Sequence, residues 1–178
     1  NEVFLNKKQM IEAEADLGAA FMLLQAEYPK DTFVKAMEYF YKQSGIIHTK
    51  GQSNSYDWNS AIGKPQQNWL KQELENADIL GQKVILFSHM PIRPNDNPHN
   101  LWNDHEIIDI IEHSPNVVAF INGHNHSGGY DFKNGIHYIT IFGMVDTMVS
   151  SFGILEFYKD ILVLKGFGNQ KTLELKYK

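Results

Sequence analysis

Cysteine is absent from the 178-residue chain. Disulfides, thiolate metal sites and cysteine nucleophiles are therefore excluded, while the compartment stays open, because a cysteine-free chain tolerates both reducing and oxidising surroundings. Also missing is any apolar run near the roughly 18 residues of a membrane-spanning helix, and no signal-peptide pattern is visible. No basic block stands out: 16 Lys and Arg against 21 Asp and Glu leave a formal charge of −5. Neither nucleic acid nor a membrane surface is an expected partner. An anionic substrate would need its positive charge from elsewhere, and a metal ion is one source. There is no internal repeat and no low-complexity tract. The first residue is Asn1 rather than Met, so a signal peptide, a tag or a larger piece of protein is expected to have been removed, and cytoplasmic and exported locations both remain open.

What is present is enough for a core. The hydrophobic fraction is 43%, and the length fits one domain. From Lys8 to Ala26 the apolar spacing is loosely helical, and Tyr28-Pro29 stops it. A second helix carrying Phe33, Val34, Met37, Phe40 and Tyr41 ends before Gly45. Gly45 to Ala61 reads as a long loop. Lys64-Pro65 opens a third helix through Trp69, Leu70 and Leu74, with Pro65 suited to a first turn.

Then the pattern changes. Lys83 to Ser88 is a short apolar run, as for a buried strand, and a loop rich in Pro and Asn follows. Asn103 or Asp104 can cap a helix carrying Ile107, Ile108, Ile110 and Ile111. Asn116 to Asn122 is a second buried-strand pattern. Three more strands are expected at Ile136–Phe142, Phe152–Tyr158 and Ile161–Phe167, the last two joined by a two-residue turn at Lys159-Asp160. The order is helices, then β-α-β, then a β meander, which is an α/β class. A β-α-β unit implies parallel strands, and ligands gather beyond the carboxyl ends of such strands.

Both ends carry chemistry. The first strand runs into Ser88-His89-Met90-Pro91, and the second into Gly123-His124-Asn125-His126. If the strands are neighbours, three imidazoles converge at one sheet edge. Imidazole is a common metal ligand, and Gly123 lets the chain turn so that both rings of the His-x-His pair reach inward. Three neutral histidines with water in a fourth position would also describe a mononuclear site. A lone histidine is more often a satisfied polar residue, and His48, His99, His105, His113 and His137 are read that way.

Ser88 to Ile92 and Asn122 to Tyr130 resemble the last two metal-binding blocks of the calcineurin-like metallophosphoesterases. Ala61 to Leu70 resembles the segment that leads into the helix before the first of them. Leu101-Trp102-Asn103, Gly128-Gly129-Tyr130, Gly143 to Thr147 and Lys165 to Gly168 resemble the branch typified by manganese-dependent ADP-ribose/CDP-alcohol diphosphatases. The likeness runs from about residue 61 to the end.

The resemblance implies the C-terminal half of an αββα sandwich, a single partial domain over 1–178. Residues 1–60 would be a helical insertion and loop, and 61–178 the metallophosphoesterase half. It implies that His89 and His124 ligate one metal and His126 the other, in a pair of divalent ions (Mn, Fe or Zn) sharing an aspartate and a water. Such a pair clamps phosphate oxygens during in-line displacement. It implies a small phosphorylated substrate and hydrolysis of a phosphomonoester, phosphodiester or diphosphate bond. Arg93, Asn95 and Asn125 are candidates for substrate contact. Tyr56, Trp58 and Asn59 are candidates for a base or alcohol pocket, and Asp146 for support of a ligand.

The chain departs from the family at three places. Asp-x-His, Gly-Asp and Gly-Asn-His do not occur in it. The carboxylate ligands, the bridging aspartate and the Asn-His pair that those blocks supply are thus lacking. Three neutral imidazoles do not offset two divalent charges, so none or one ion is expected on this chain. A fragment, inactive alone, is the expectation, with the N-terminal half as its missing partner. Such a fragment should self-associate or keep only one of the two sheets. A non-catalytic scaffold used for protein interaction is the alternative.

Overall fold

The computed structural model describes residue 59, residues 61–145 and residues 147–177. The two helices expected before Gly45, Tyr56, Trp58 and Asp146 lie outside the described residues. Helix α1 spans Lys64–Ile79 with Pro65 in its first turn, as the sequence predicts. It is followed by β1 (Val84–Phe87), α2 (Asp104–Glu112), β2 (Val117–Asn122), β3 (Gly129–Lys133) and β4 (Ile136–Thr140). The chain ends in β5 (Phe152–Phe157), β6 (Ile161–Phe167) and β7 (Leu173–Lys176). Among the described residues no helix is long and apolar enough to cross a membrane.

Four strands form one sheet in the order β1-β2-β4-β3, and three form a second in the order β5-β6-β7. In the first sheet β1, β2 and β4 are mutually parallel, and β3 returns antiparallel to β4. The second sheet is antiparallel throughout. Apolar side chains divide between two cores. Leu70 and Leu74 of α1 and Ile107, Ile110 and Ile111 of α2 pack with Val117, Phe120 and Ile136. On the opposite face Ile121 and Ile139 pack with Leu162, Leu164 and Leu175 of the second sheet. The layers are helices, mixed sheet and antiparallel sheet, with β2 buried along its whole length.

Several expectations need correction. The Ile136 strand is not part of the meander: it pairs with β2 and β3 in the first sheet. The meander is completed instead by β7, a four-residue strand with alternating charged residues that gives no apolar run. Strand β3 was also missed, because its residues are mostly exposed and give no apolar run. β1 is not a fully buried strand. Among the described residues it has a neighbour on one side only, its first three residues are half-buried, and Phe87 is exposed. Both sheets of a sandwich are present, so loss of one sheet is not how this chain accommodates its length.

The cap of α2 also differs from expectation. Asn103 sits at the N-cap but makes no side-chain cap. Its amide is used to clamp the segment before α1: Ile62 N–H donates to Asn103 Oδ1 at 3.1 Å, and Asn103 Nδ2 donates to Ile62 O at 2.9 Å. Gln67 Nε2 donates to the same carbonyl at 2.8 Å. Glu106 closes the cluster by accepting from Lys64 Nζ at 2.8 Å, Gln67 Nε2 at 2.7 Å and Asn103 Nδ2 at 2.8 Å. Those donors, Lys64 first, hold its carboxyl well below the ordinary 4.5, at about 2.

Candidate metal site

The parallel ladder does not stop where β1 and β2 stop. Ser88 N–H donates to Ile121 O at 3.0 Å, and Gly123 N–H donates to His89 O at 3.0 Å. On the other side Ile141 N–H donates to Asn122 O at 2.8 Å. Thr140 Oγ1 donates to Asn122 Oδ1 at 2.8 Å inside the protein. The three strand ends are thus laced together, and the segments leaving them are held in register.

His89 follows β1 after Ser88, and His124 follows β2 after Gly123. His124 has φ +61, a left-handed backbone that a residue with a side chain rarely adopts. The turn is held by Asn125 N–H donating to Gly123 O at 2.7 Å and Gly128 N–H donating to Asn125 O at 3.0 Å. The consequence is that His89 Nε2 and His124 Nδ1 face each other at 3.2 Å, with ring centroids 5.0 Å apart and the planes inclined at 64°.

This spacing bears on whether a metal ion fits. Two nitrogens on one tetrahedral ion, each at the usual zinc–imidazole bond length, stand about 3.3 Å apart. The two rings therefore offer a donor pair at ligand spacing. Among the described residues no carboxylate joins them in a metal-holding group, and there is no group of three or more His, Cys, Asp or Glu side chains arranged to hold a metal ion. The described residues fit part of a metal site, and the charge-balancing part is not among them.

His126 does not make with this pair a group of three placed to hold one ion. Its ring is exposed and lies over Gly143, where an added Cβ would stand 2.7 Å from His126 Cβ. Gly143 N–H donates to His126 O at 3.1 Å, which fastens the loop after β4 to the histidine turn. Asn125 turns its side chain back on the chain, with Oδ1 accepting from Ser127 N–H at 3.2 Å.

Arg93 and Asn95 are placed elsewhere. Arg93 Nε donates to Asp131 Oδ2 at 2.7 Å, Nη1 donates to Asn95 Oδ1 at 2.9 Å, and its guanidinium lies 5.4 Å from the Tyr138 ring centroid. Both residues line a cleft of about 390 Å³ beside α2 that none of the three histidines borders. Asp96, Asp104, Asp109 and Glu112 also line it, alongside Lys133. Asn59 is buried and holds the loop through Pro98 O and Asn100 O.

One histidine read as an ordinary polar residue stands at the site. His99 packs edge-on against His124, with centroids 5.5 Å apart at 72°. The available signal was its position in the loop between β1 and α2, at the carboxyl edge of the sheet. The other readings agree with the structure where they are described. His137 bonds Tyr130 Oη and Lys176 O, and His113 bonds Asp109 O.

No protein-family model matches the chain. Among curated proteins, the chain is 34% identical over 126 residues to the manganese-dependent ADP-ribose/CDP-alcohol diphosphatase of Xenopus laevis. That match covers 68% of this chain and 35% of the relative. The human enzyme of the same name is 33% identical over 126 residues, 68% of this chain and 37% of the relative. The Arabidopsis thaliana enzyme is 29% identical over 122 residues, 66% of this chain and 39% of the relative. A crystal structure of a dimetal phosphatase from Danio rerio superposes with a TM-score of 0.68 at 28% identity. It covers 70% of this chain and 41% of that one. The match thus spans between 35% and 39% of the length of these curated relatives.

Proposed function

We propose that this chain, which belongs to the calcineurin-like metallophosphoesterase superfamily, supplies one part of a hydrolase that splits a phosphate ester or diphosphate bond with the help of divalent metal ions. The observation that carries this reading is the pair of imidazole nitrogens 3.2 Å apart at the ends of two parallel strands. His89 and His124 would hold one ion, and His126 the other. Divalent ions held there supply positive charge to phosphate oxygens and acidify an attacking water. The chain's own part is to fix the two rings, through the left-handed turn at His124 and the Gly123-to-His89 backbone bond.

In this reading residues 61–178 form the metallophosphoesterase portion of a single domain. The carboxylates that complete the centre come from a further portion, set against the one-sided edge of β1, so this chain is inactive alone. The substrate is a small molecule with a diphosphate linked to a nucleoside, as the relatives' names specify for those proteins. The test is turnover of nitrophenyl phosphates and of ADP-ribose by the complete protein with added manganese. No turnover of any phosphate ester, with ions shown to be bound, would sink it.

A second reading keeps support from one observation: the described residues hold no group of three or more metal-ligating side chains. On that reading the chain is a non-catalytic scaffold, and elemental analysis of the complete protein would find little metal. A mononuclear three-histidine site gains nothing from the described residues, since they hold no group of three such side chains arranged around one ion.

A further inference from the structure

His99 lies ten residues beyond His89, on the loop that leaves β1 and leads to α2. This loop is closed on itself. Leu101 N–H donates to Pro91 O at 2.9 Å, which brings its two ends together in the manner of an Ω-loop. Inside the closure Asn100, 1% exposed, donates through Nδ2 to Pro94 O at 2.9 Å and to Asp104 Oδ2 at 2.8 Å. Asn97 accepts two bonds, at its carbonyl from Asn100 N–H at 3.0 Å and at Oδ1 from His99 N–H at 3.0 Å. Asn59 reaches in from the segment before α1 and donates to the carbonyls of Pro98 and Asn100. The residues on either side of His99 are therefore held by side-chain amides, and His99 has little freedom to move away.

The ring it meets is that of His124, edge to face, 5.5 Å away and at 72°. His89 meets the same ring at 5.0 Å and 64°. A ring walled by two others has few rotamers left, and a side chain fixed by packing holds a ligand atom better than one free to rotate.

We propose that His99 is a positioning residue for the metal site, holding the His124 ring so that Nδ1 stays aimed at His89 Nε2. It acts through the shape and edge of its ring and not as a ligand. The proposal rests on the reading of His89 and His124 as ligands of one ion.

The test uses the full 178-residue chain as native protein, His99→Ala, His99→Phe and His89→Ala. Imidazole ring resonances are recorded by NMR without added ion, and Zn²⁺ affinity by calorimetry. His99→Ala is expected to move and broaden the His124 ring resonances and to weaken Zn²⁺ binding about tenfold. The backbone amide spectrum outside the 91–101 loop should stay in place. His99→Phe, which keeps an aromatic edge, is expected to restore affinity to within about twofold of native. Native-like His124 resonances in His99→Ala would overturn the proposal. So would a His99→Phe variant as weak as His99→Ala. The ligand reading fails separately, if His89→Ala leaves Zn²⁺ binding unchanged. The ion-free ring spectra then still decide on His99.

Discussion

His89 Nε2 and His124 Nδ1 are held 3.2 Å apart by a backbone bond between the same two segments, from Gly123 N–H to His89 O. The metal ligands proposed here therefore owe their separation to strand pairing. Replacing either ring by Ala is expected to lower affinity for Mn²⁺ or Zn²⁺ by at least about tenfold, with little change in the unfolding midpoint. Calorimetric titration of His89→Ala and His124→Ala checks it, and undiminished binding in both would contradict the assignment.

Glu106 ties the Lys64 end of α1 to α2, and its carboxyl is held at about 2. A carboxyl with a depressed folded-state pKa contributes stability that is fully present above its unfolded value of 4.5 and is lost as pH falls through that window toward about 2. Urea midpoints should therefore drop between pH 5 and 3, and Glu106→Gln should flatten part of that drop. An unchanged acid profile in the variant would show that the cluster contributes nothing.

His137, buried in β4, bonds through both ring nitrogens: Nε2 donates to Lys176 O at 2.9 Å, and Nδ1 pairs with Tyr130 Oη at 3.0 Å. The first bond crosses from one sheet to the other. His137→Ala leaves both partners without this bond and opens space in the layer between, so a loss of about 2–3 kcal/mol is expected in urea unfolding. A loss below about 0.5 kcal/mol would mean that water replaces the ring at no cost.

Gly168 has φ +65, and a Cβ there would stand 1.9 Å from the backbone oxygen of Ser150. Neither the conformation nor the contact can be relieved by a side-chain rotation. Gly168→Ala should cost about 2–4 kcal/mol, read as a lowered unfolding midpoint. Gly81 provides the comparison: it shares the positive φ, at 64°, but has open space around it, so Gly81→Ala should cost about 1 kcal/mol.

β1 exposes Phe87 and, among the described residues, one unpaired edge. An apolar parallel strand open on one side is a template for another chain. The isolated chain is expected to self-associate in light scattering, and Phe87→Lys, at the exposed residue, to reduce it. A monodisperse monomer at high concentration would refute this.

Much of this architecture was legible in the residues. β2 announced itself because Val117 to Asn122 is buried on both faces and reads as an uninterrupted apolar run. α2 was visible from its four isoleucines, three of them in the core. β3 was invisible for the converse reason: its exposed Tyr130 and Phe132 alternate with polar residues in a stretch that also reads as a loop. Sheet membership of β4 could not be read at all, since its apolar residues would suit either sheet and pairing partners distant in sequence decided it. At the site, the two strand-end motifs located His89 and His124. The arrangement of His126 over Gly143, and of His99 against His124, depends on loop paths that no periodicity encodes.

The ladder that continues past β1 and β2 into Ser88 and Gly123 makes the site a gauge of sheet register. Shifting β1 by one residue against β2 would send every side chain of the strand to the opposite face. It would also carry the His89 carbonyl away from the Gly123 amide, and the two rings would no longer meet. Misaligned chains thus lose the paired rings by the same error that spoils their core, and an ion held there as proposed would stabilise the correctly aligned state over every slipped one.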